Sequence, residues 1–160
     1  MINPLLELRE KLTEDKLDAM LISSISNITY LTNYSGFSKE EREAYLFITK
    51  NQQYIFTDGR YTQAIKTLIH NFKVIEISSK VSFEKAIKQL IKQHRIKRMG
   101  FEGNNLTFLE HKTFSKYFNN IYHLSIPNLR SIKTAEEISK IEKACKLGDK
   151  TFDYILKKIK

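Results

Sequence analysis

The sequence predicts a mixed α/β domain, one β-sheet with helices on both faces. Two observations carry that expectation. Two strand-like runs, Glu43–Lys50 (EAYLFITK) and Gln53–Asp58 (QYIFTD), are joined by a very short polar link, the pattern of an antiparallel hairpin. From Phe72 onward, short apolar runs alternate with amphipathic stretches, the rhythm of βα units.

The elements follow in order. Asn3 and Pro4 make a helix start, a cap followed by a first helical residue. Leu5, Leu8 and Leu12 fall on one face of that helix. Asp18–Ser24 (DAMLISS) is a short apolar run with polar ends and reads as a buried strand. After the hairpin, Tyr61–Asn71 reads as a helix with Tyr61, Ala64, Ile65, Leu68 and Ile69 on one side. Phe72–Ser78 is a strand. The stretch SFEKAIKQLIKQHRI is a helix whose stripe is Phe83, Ala86, Ile87, Leu90, Ile91 and His94. Arg98–Gly103 is a strand. Thr107 and Glu110 form a capping box that opens a helix to about Phe118. Ile121–Pro127 is the last strand.

The tail differs. Thr134 and Glu137 make a second capping box, and a long helix is expected from Thr134 to the end. Its apolar positions are Ile138, Ile141, Cys145, Phe152, Ile155 and Ile159, a seam with no partner later in the chain. A coiled coil is one reading, and packing on another body is the second. Gly148 costs about 1 kcal/mol in a helix interior and suits a close contact better than a coiled coil. Residues 1–132 are read as one domain and 133–160 as a separate helix.

Bulk properties narrow the function. With 160 residues, 41% hydrophobic and 11% aromatic, the chain can build one ordinary core. No window of about 18 apolar residues is present, so no membrane span is expected. The start MINPLLELREKL lacks the pattern of a secretory signal, which makes the cytoplasm the expected location. The single cysteine, Cys145, excludes an internal disulfide and cannot alone build a cysteine zinc site. The net charge of +9 raises the alternative of a basic nucleic-acid-binding module. Lysine is abundant throughout, however, which points to a compositional bias. Lys85–Arg98 holds six basic residues and no acidic one, with Lys85, Lys88, Lys92 and Arg95 as a stripe. It lacks interleaved aromatics for base stacking and reads as a solvated face.

Candidate chemistry is sparse. His70, His94, His111 and His123 show no metal-ligand spacing, and His94 reads as a boundary residue. Asp18, Asp58 and Glu102 sit near strand ends, where clustered carboxylates could serve a stand-alone metal-dependent phosphoesterase. Nothing in their spacing brings them together. In YIFTDGRY, Asp58 is expected to cap the next helix and Gly59 to allow a tight turn or a positive φ. Arg60 pairs with Asp58 or faces a partner chain. In NYSGFSKEERE, Tyr34 and Phe37 flank Ser35-Gly36 in a loop, and the charged run that follows reads as solvated.

Taken in order, ISNITYLTNYSGFS, AYLFIT, YIFTDGRY, MGFEG and LRSIKTAEEISKIEKACKLGDKTFDYI resemble the amino-terminal domain of the creatinase and Xaa-Pro aminopeptidase (prolidase-like) family. The strongest part is Arg130, Lys133, Glu137, Ile138, Ile141 and Ala144, which in that family marks the junction to the catalytic domain. Asn33-Tyr34 departs from the Gly-Phe common there. The resemblance implies a ribonuclease-H-like mixed sheet that is non-catalytic, supports oligomers and restricts access to a catalytic cleft. Tyr34, Phe37 and Arg60 become the substrate-proximal or intersubunit residues, while Asp58, Gly59, Thr107 and Thr134 shape turns and caps. No catalytic residue, metal ligand or cofactor is implied for this chain. A pita-bread catalytic domain would hold two divalent metal ions of the Mn, Co or Zn type with two Asp, one His and two Glu. The implied partners are that domain, a second subunit and, for the parent protein, short proline-containing peptides, with no membrane or nucleic acid. The chain ends within or just after the junction helix, so it is either part of a longer protein or a short natural module. Aminopeptidase, dipeptidase and non-peptidase parents all remain open.

Overall fold

The computed structural model of the protein describes residues 3–38, 40–118, 121–124, 126 and 130–159. Lys39, Pro127 and Lys160, which the sequence reading places in the charged loop, the last strand and the final helix, lie outside them. The chain divides into two compact units, Pro4–Ile126 and a second that contains residues 130–159.

The first unit opens with helix α1 (Pro4–Glu14), which buries Leu5, Leu8 and Leu12. Strand β1 (Ala19–Ile22) follows, then α2 (Ile25–Thr32), β2 (Ala44–Thr49), β3 (Gln53–Asp58) and α3 (Gly59–Leu68). Next come β4 (Lys73–Ile77), α4 (Phe83–Gln93), β5 (Met99–Phe101), α5 (Phe108–Phe114) and β6 (Ile121–His123). The strands make one sheet in the order β4-β3-β2-β1-β5-β6. Only β2 runs against its neighbours. It pairs antiparallel with β1 and β3, whereas β3–β4, β1–β5 and β5–β6 are parallel. The mixed α/β sheet is the one expected, with the hairpin at its centre.

Alternation along the strands builds two cores. Ala19, Leu21, Phe47, Tyr54, Phe56 and Met99 pack with Ala86, Ile87 and Leu90 of α4 and with Phe114 of α5. The alternate residues Met20, Ile22, Leu46, Ile48 and Ile55 are fully buried as well, with the apolar sides of α1, α2 and α3. The basic face of α4 is solvated: Lys88 pairs with Glu84 at 2.7 Å and lies over the Tyr117 ring. Arg95 does not extend that face. It lies past the end of α4 with φ 53°, in the left-handed region, so the stripe stops at Lys92.

Helix α2 is absent from the sequence reading. Its β-branched Ile25, Ile28, Thr29 and Thr32 weaken helix propensity, and its cap residue Ser24 makes no side-chain cap bond. Burial of Ile28, Leu31 and Thr32 decides the matter. Asn33 then closes the helix at φ 57°, donating to Thr29 O. Asparagine tolerates that left-handed turn. Two further readings need correction. Leu68 is exposed, because α3 starts at Gly59 and turns Thr62, Ile65 and then Ile69 inward. Helix α5 stops at Phe114, and Phe118 reaches the core through a turn instead.

The second unit contains α6 (Ala135–Leu156), opened by the Thr134–Glu137 capping box. Its 22 residues span about 33 Å. It stops short of the chain end, where Lys158 and Ile159 N–H close on Ile155 O. No residue of α6 is buried, and Ile138, Ile141, Leu147, Phe152 and Ile155 are all exposed. Among the described residues no helix is long and apolar enough to cross a membrane.

Candidate functional site at the carboxyl edge of the sheet

The five parallel strands all end on one edge, where β2 begins. In open α/β sheets that edge is where ligands and loops collect. Here it carries a set of paired charges.

Arg42 is the centre of it. The charged run reads as solvated in sequence, yet Arg42 and Glu110 are only 25% and 20% exposed in their side chains. Arg42 Nε donates to Glu110 Oε1 at 2.9 Å and Nη2 to Glu110 Oε2 at 3.2 Å. Nη2 also donates to Asn105 O at 2.9 Å, and Nη1 donates to Ser23 O and Asn105 Oδ1. A guanidinium has five N–H groups, so all of them are engaged. Glu110 also accepts from Tyr45 Oη at 2.6 Å and from Thr107 N at 2.7 Å, the second half of the Thr107 capping box. Burial pushes the Glu110 carboxyl up, but the bonds from Tyr45, Thr107 and Arg42 outweigh it and hold it below the usual range. Burial, with Glu110 opposite, raises the Tyr45 phenol. A polar cavity of about 390 Å³ opens beside this cluster, reached by Ser24, Ser26, Glu40 and Glu41.

Glu43 forms a second anchor. Its side chain is 4% exposed. It accepts from Ser38 N at 2.5 Å and from Tyr61 Oη. That bond raises the Tyr61 phenol to about 12. Phe37 is buried, with its ring 4.9 Å from Tyr34 and 5.0 Å from Tyr61. Gly36 lies under Tyr34, where a Cβ would strike the phenol end. Phe37 is thus an anchor of the loop, Tyr34 is half-buried, and Arg60 is exposed.

Asp58 ends β3 in extended geometry and accepts from Arg60 N at 2.8 Å, capping α3. It also takes Arg60 Nε and Nη2, the latter at 2.8 Å. These bonds depress the Asp58 carboxyl and raise Arg60. Arg60 Nη1 stands 3.6 Å from Glu43. Gly59 does not have a positive φ, because β3 runs directly into α3 with no intervening left-handed turn. A Cβ there would make ordinary contact with Glu76 at 3.8 Å.

In the sequence Glu102 reads only as a strand-end carboxylate. It accepts from Ser23 N at 2.6 Å, Ser24 N at 2.7 Å and the Asn27 amide, so it caps α2 from the residue after β5. Asp18 accepts from Lys97 N and Arg98 N. Asp18, Asp58 and Glu102 are therefore engaged in three separate places. Among the described residues, no group of three or more His, Cys, Asp or Glu side chains could share a metal ion. The residues present do not fit a two-metal centre. Of the junction residues, Lys133 Nζ donates to Arg130 O at 2.6 Å and Glu137 completes the Thr134 cap, while Ile138, Ile141 and Ala144 are exposed on α6. No signal in one sequence joins Arg42 to Glu110. The inward pull of Glu43 could have been suspected from its place at the start of a buried strand.

The model of the Creatinase/Prolidase N-terminal domain family matches residues 4–132. The chain is 31% identical over 144 residues to the peptidase YqhT of Bacillus subtilis, covering 88% of this chain and 39% of that protein. It spans about two fifths of the length of the curated relatives it matches. Among solved structures, an Xaa-Pro dipeptidase from Bacillus anthracis superposes with TM-score 0.86 at 22% identity, over 98% of this chain and 43% of that one. An Xaa-Pro aminopeptidase chain from Streptococcus thermophilus gives TM-score 0.68 at 28% identity, over 79% of this chain and 95% of that one. With a sheet of this topology, matched by the family model through the whole of its first unit, the chain belongs to the Creatinase/Prolidase N-terminal domain family.

Proposed function

We propose that this chain is the non-catalytic amino-terminal domain of a metal-dependent Xaa-Pro peptidase, where it supports oligomerisation and limits access to a catalytic cleft. The observation that carries this reading is the family match over residues 4–132 by a chain spanning about two fifths of its relatives. Two features support it. The carboxylates of the carboxyl edge are engaged in holding loops and helix starts, which suits a rigid rim better than a reaction centre. The exposed apolar side of α6 suits a helix made to pack on a further domain.

On this reading, the metal pair and its ligands come from sequence beyond this chain, and the cytoplasm is the place of action. Tyr34 and Arg60 are the rim residues nearest to a bound peptide. The test is direct. The chain alone, supplied with Mn²⁺, should release no amino acid from Xaa-Pro peptides, whereas the parent protein should. In the parent, Arg60→Ala should change KM for longer peptides more than for dipeptides. Hydrolysis by the purified chain would overturn the non-catalytic reading. Equal effects on all peptide lengths would remove Arg60 from the gate.

A further inference from the structure

A second cavity, of about 140 Å³, opens at the end of β3 and β4. An apolar cavity of about 150 Å³ is enough to stay dry and admit a benzene ring. The apolar walls here are Tyr45, Phe56, Ile77 and Phe83, which all pack with the core on the α4 and α5 side of the sheet. The Phe83 ring lies 4.8 Å from Tyr45 and 4.9 Å from Phe56, so three aromatic rings meet there. Phe56 is buried, whereas Tyr45, Ile77 and Phe83 are half-buried, so the cavity has a floor and an open mouth.

The polar side chains around it can be followed one by one. The Tyr45 hydroxyl is committed to Glu110, and Thr57 Oγ1 donates to Glu43 O at 3.0 Å. All five N–H groups of Arg42 have acceptors. Asp58 takes four contacts, all from Arg60. The Glu43 carboxylate is held by Ser38, Tyr61 and Arg60, none of which lines the cavity. Each polar side chain at this cavity is thus engaged with another part of the chain. A charged or hydroxylated occupant would give up its water for nothing in return. An uncharged ring gains instead. Aromatic pairs favour offset or edge-to-face placement with centroids about 4.5–7 Å apart. Phe83 already stands tilted at 41° to Tyr45 and 61° to Phe56, so a further ring beside them meets both faces and edges.

We propose that this cavity binds an uncharged aromatic ring of about the size of benzene. Such a ring comes from a small free aromatic molecule or from an aromatic side chain on a peptide. The proposal does not depend on the peptidase reading, because binding is measured on this chain alone.

The experiment titrates the ¹⁵N-labelled chain with toluene, and separately with phenol, whose hydroxyl finds no partner in the walls. Toluene should give saturable amide shifts at Tyr45, Phe56, Ile77 and Phe83 with millimolar or tighter affinity. Phenol should bind about tenfold more weakly. Ile77→Phe, at the half-buried mouth, should fill the cavity and weaken toluene at least about tenfold, with the amide spectrum of β1 and β5 reporting an intact fold. Two further probes, N-acetylphenylalaninamide and N-acetylalaninamide, identify the source of the ring. Saturation of the same amides by the phenylalanine compound alone marks a site for a peptide side chain, and saturation by toluene but neither amide marks a site for free molecules. Absence of saturable toluene shifts at those amides overturns the proposal. So does phenol binding as tightly as toluene, or undiminished toluene binding in a folded Ile77→Phe.

Discussion

At Arg42, a single side chain ties its own loop to two segments far away in sequence, one at Ser23 and the other at Asn105 and Glu110. Removing one partner of a largely buried ion pair leaves the other uncompensated, so Arg42→Ala should cost about 3 kcal/mol. Arg42→Lys should recover only a minor part, since an ammonium offers three donors where five are needed. Denaturant unfolding of both variants checks this, and equal stability of lysine and wild type would refute it. Asp58→Ala removes a helix cap and should cost about 1 kcal/mol. Because Arg60 depresses the Asp58 carboxyl, that stabilisation is present above the unfolded carboxylate value and fades as acid protonates it. The mutant and wild type should therefore converge in stability at low pH. Tyr61 has the opposite sign. Its phenol is raised to about 12, so its contribution is full at neutral pH and is lost as pH climbs through that value. A phenolate absorbance titration should lose one of its late tyrosines in Tyr61→Phe, while Tyr45 stays late. Of these contacts, the sequence shows the Asp58 cap and the pairing of Asp58 with Arg60, both of them local. The Arg42 and Glu43 contacts need the fold to bring their partners near.

Among the elements, those with a local signature were legible and α2 was not. The hairpin is announced by two β-rich runs with almost nothing between them, and β2 pairs with β3 from Ala44↔Thr57 to Ile48↔Gln53. Both Thr-x-x-Glu boxes were visible because their partners are three residues apart. Helix α2 carries β-branched residues and borrows its amino-terminal cap from Glu102, just past the end of β5. Glu102→Ala would strand two backbone N–H groups and should cost about 2 to 3 kcal/mol. Amide exchange at Ile25–Thr32 should rise before that of β1, and uniform exchange across the unit would argue against the cap.

For the molecule as a whole, the sheet and its class follow from patterns that repeat along the chain, whereas the role of α6 rests on what it would touch. A Cβ at Gly148 meets nothing within 4 Å. Gly148→Ala should thus stabilise α6 in this chain by up to about 1 kcal/mol, measured by helicity during heating. In the parent protein, a glycine that lies against a second body would make the same change harmful, and the sign of the difference separates the two readings. The Glu102 cap also bears on how the polypeptide is made. A nascent chain that has exposed only its first hundred residues has the whole of α2 outside the ribosome but not yet the carboxylate that finishes it. That segment must wait, half-organised, until β5 emerges and slots in beside β1, so the early chain is held open by the order of its own synthesis.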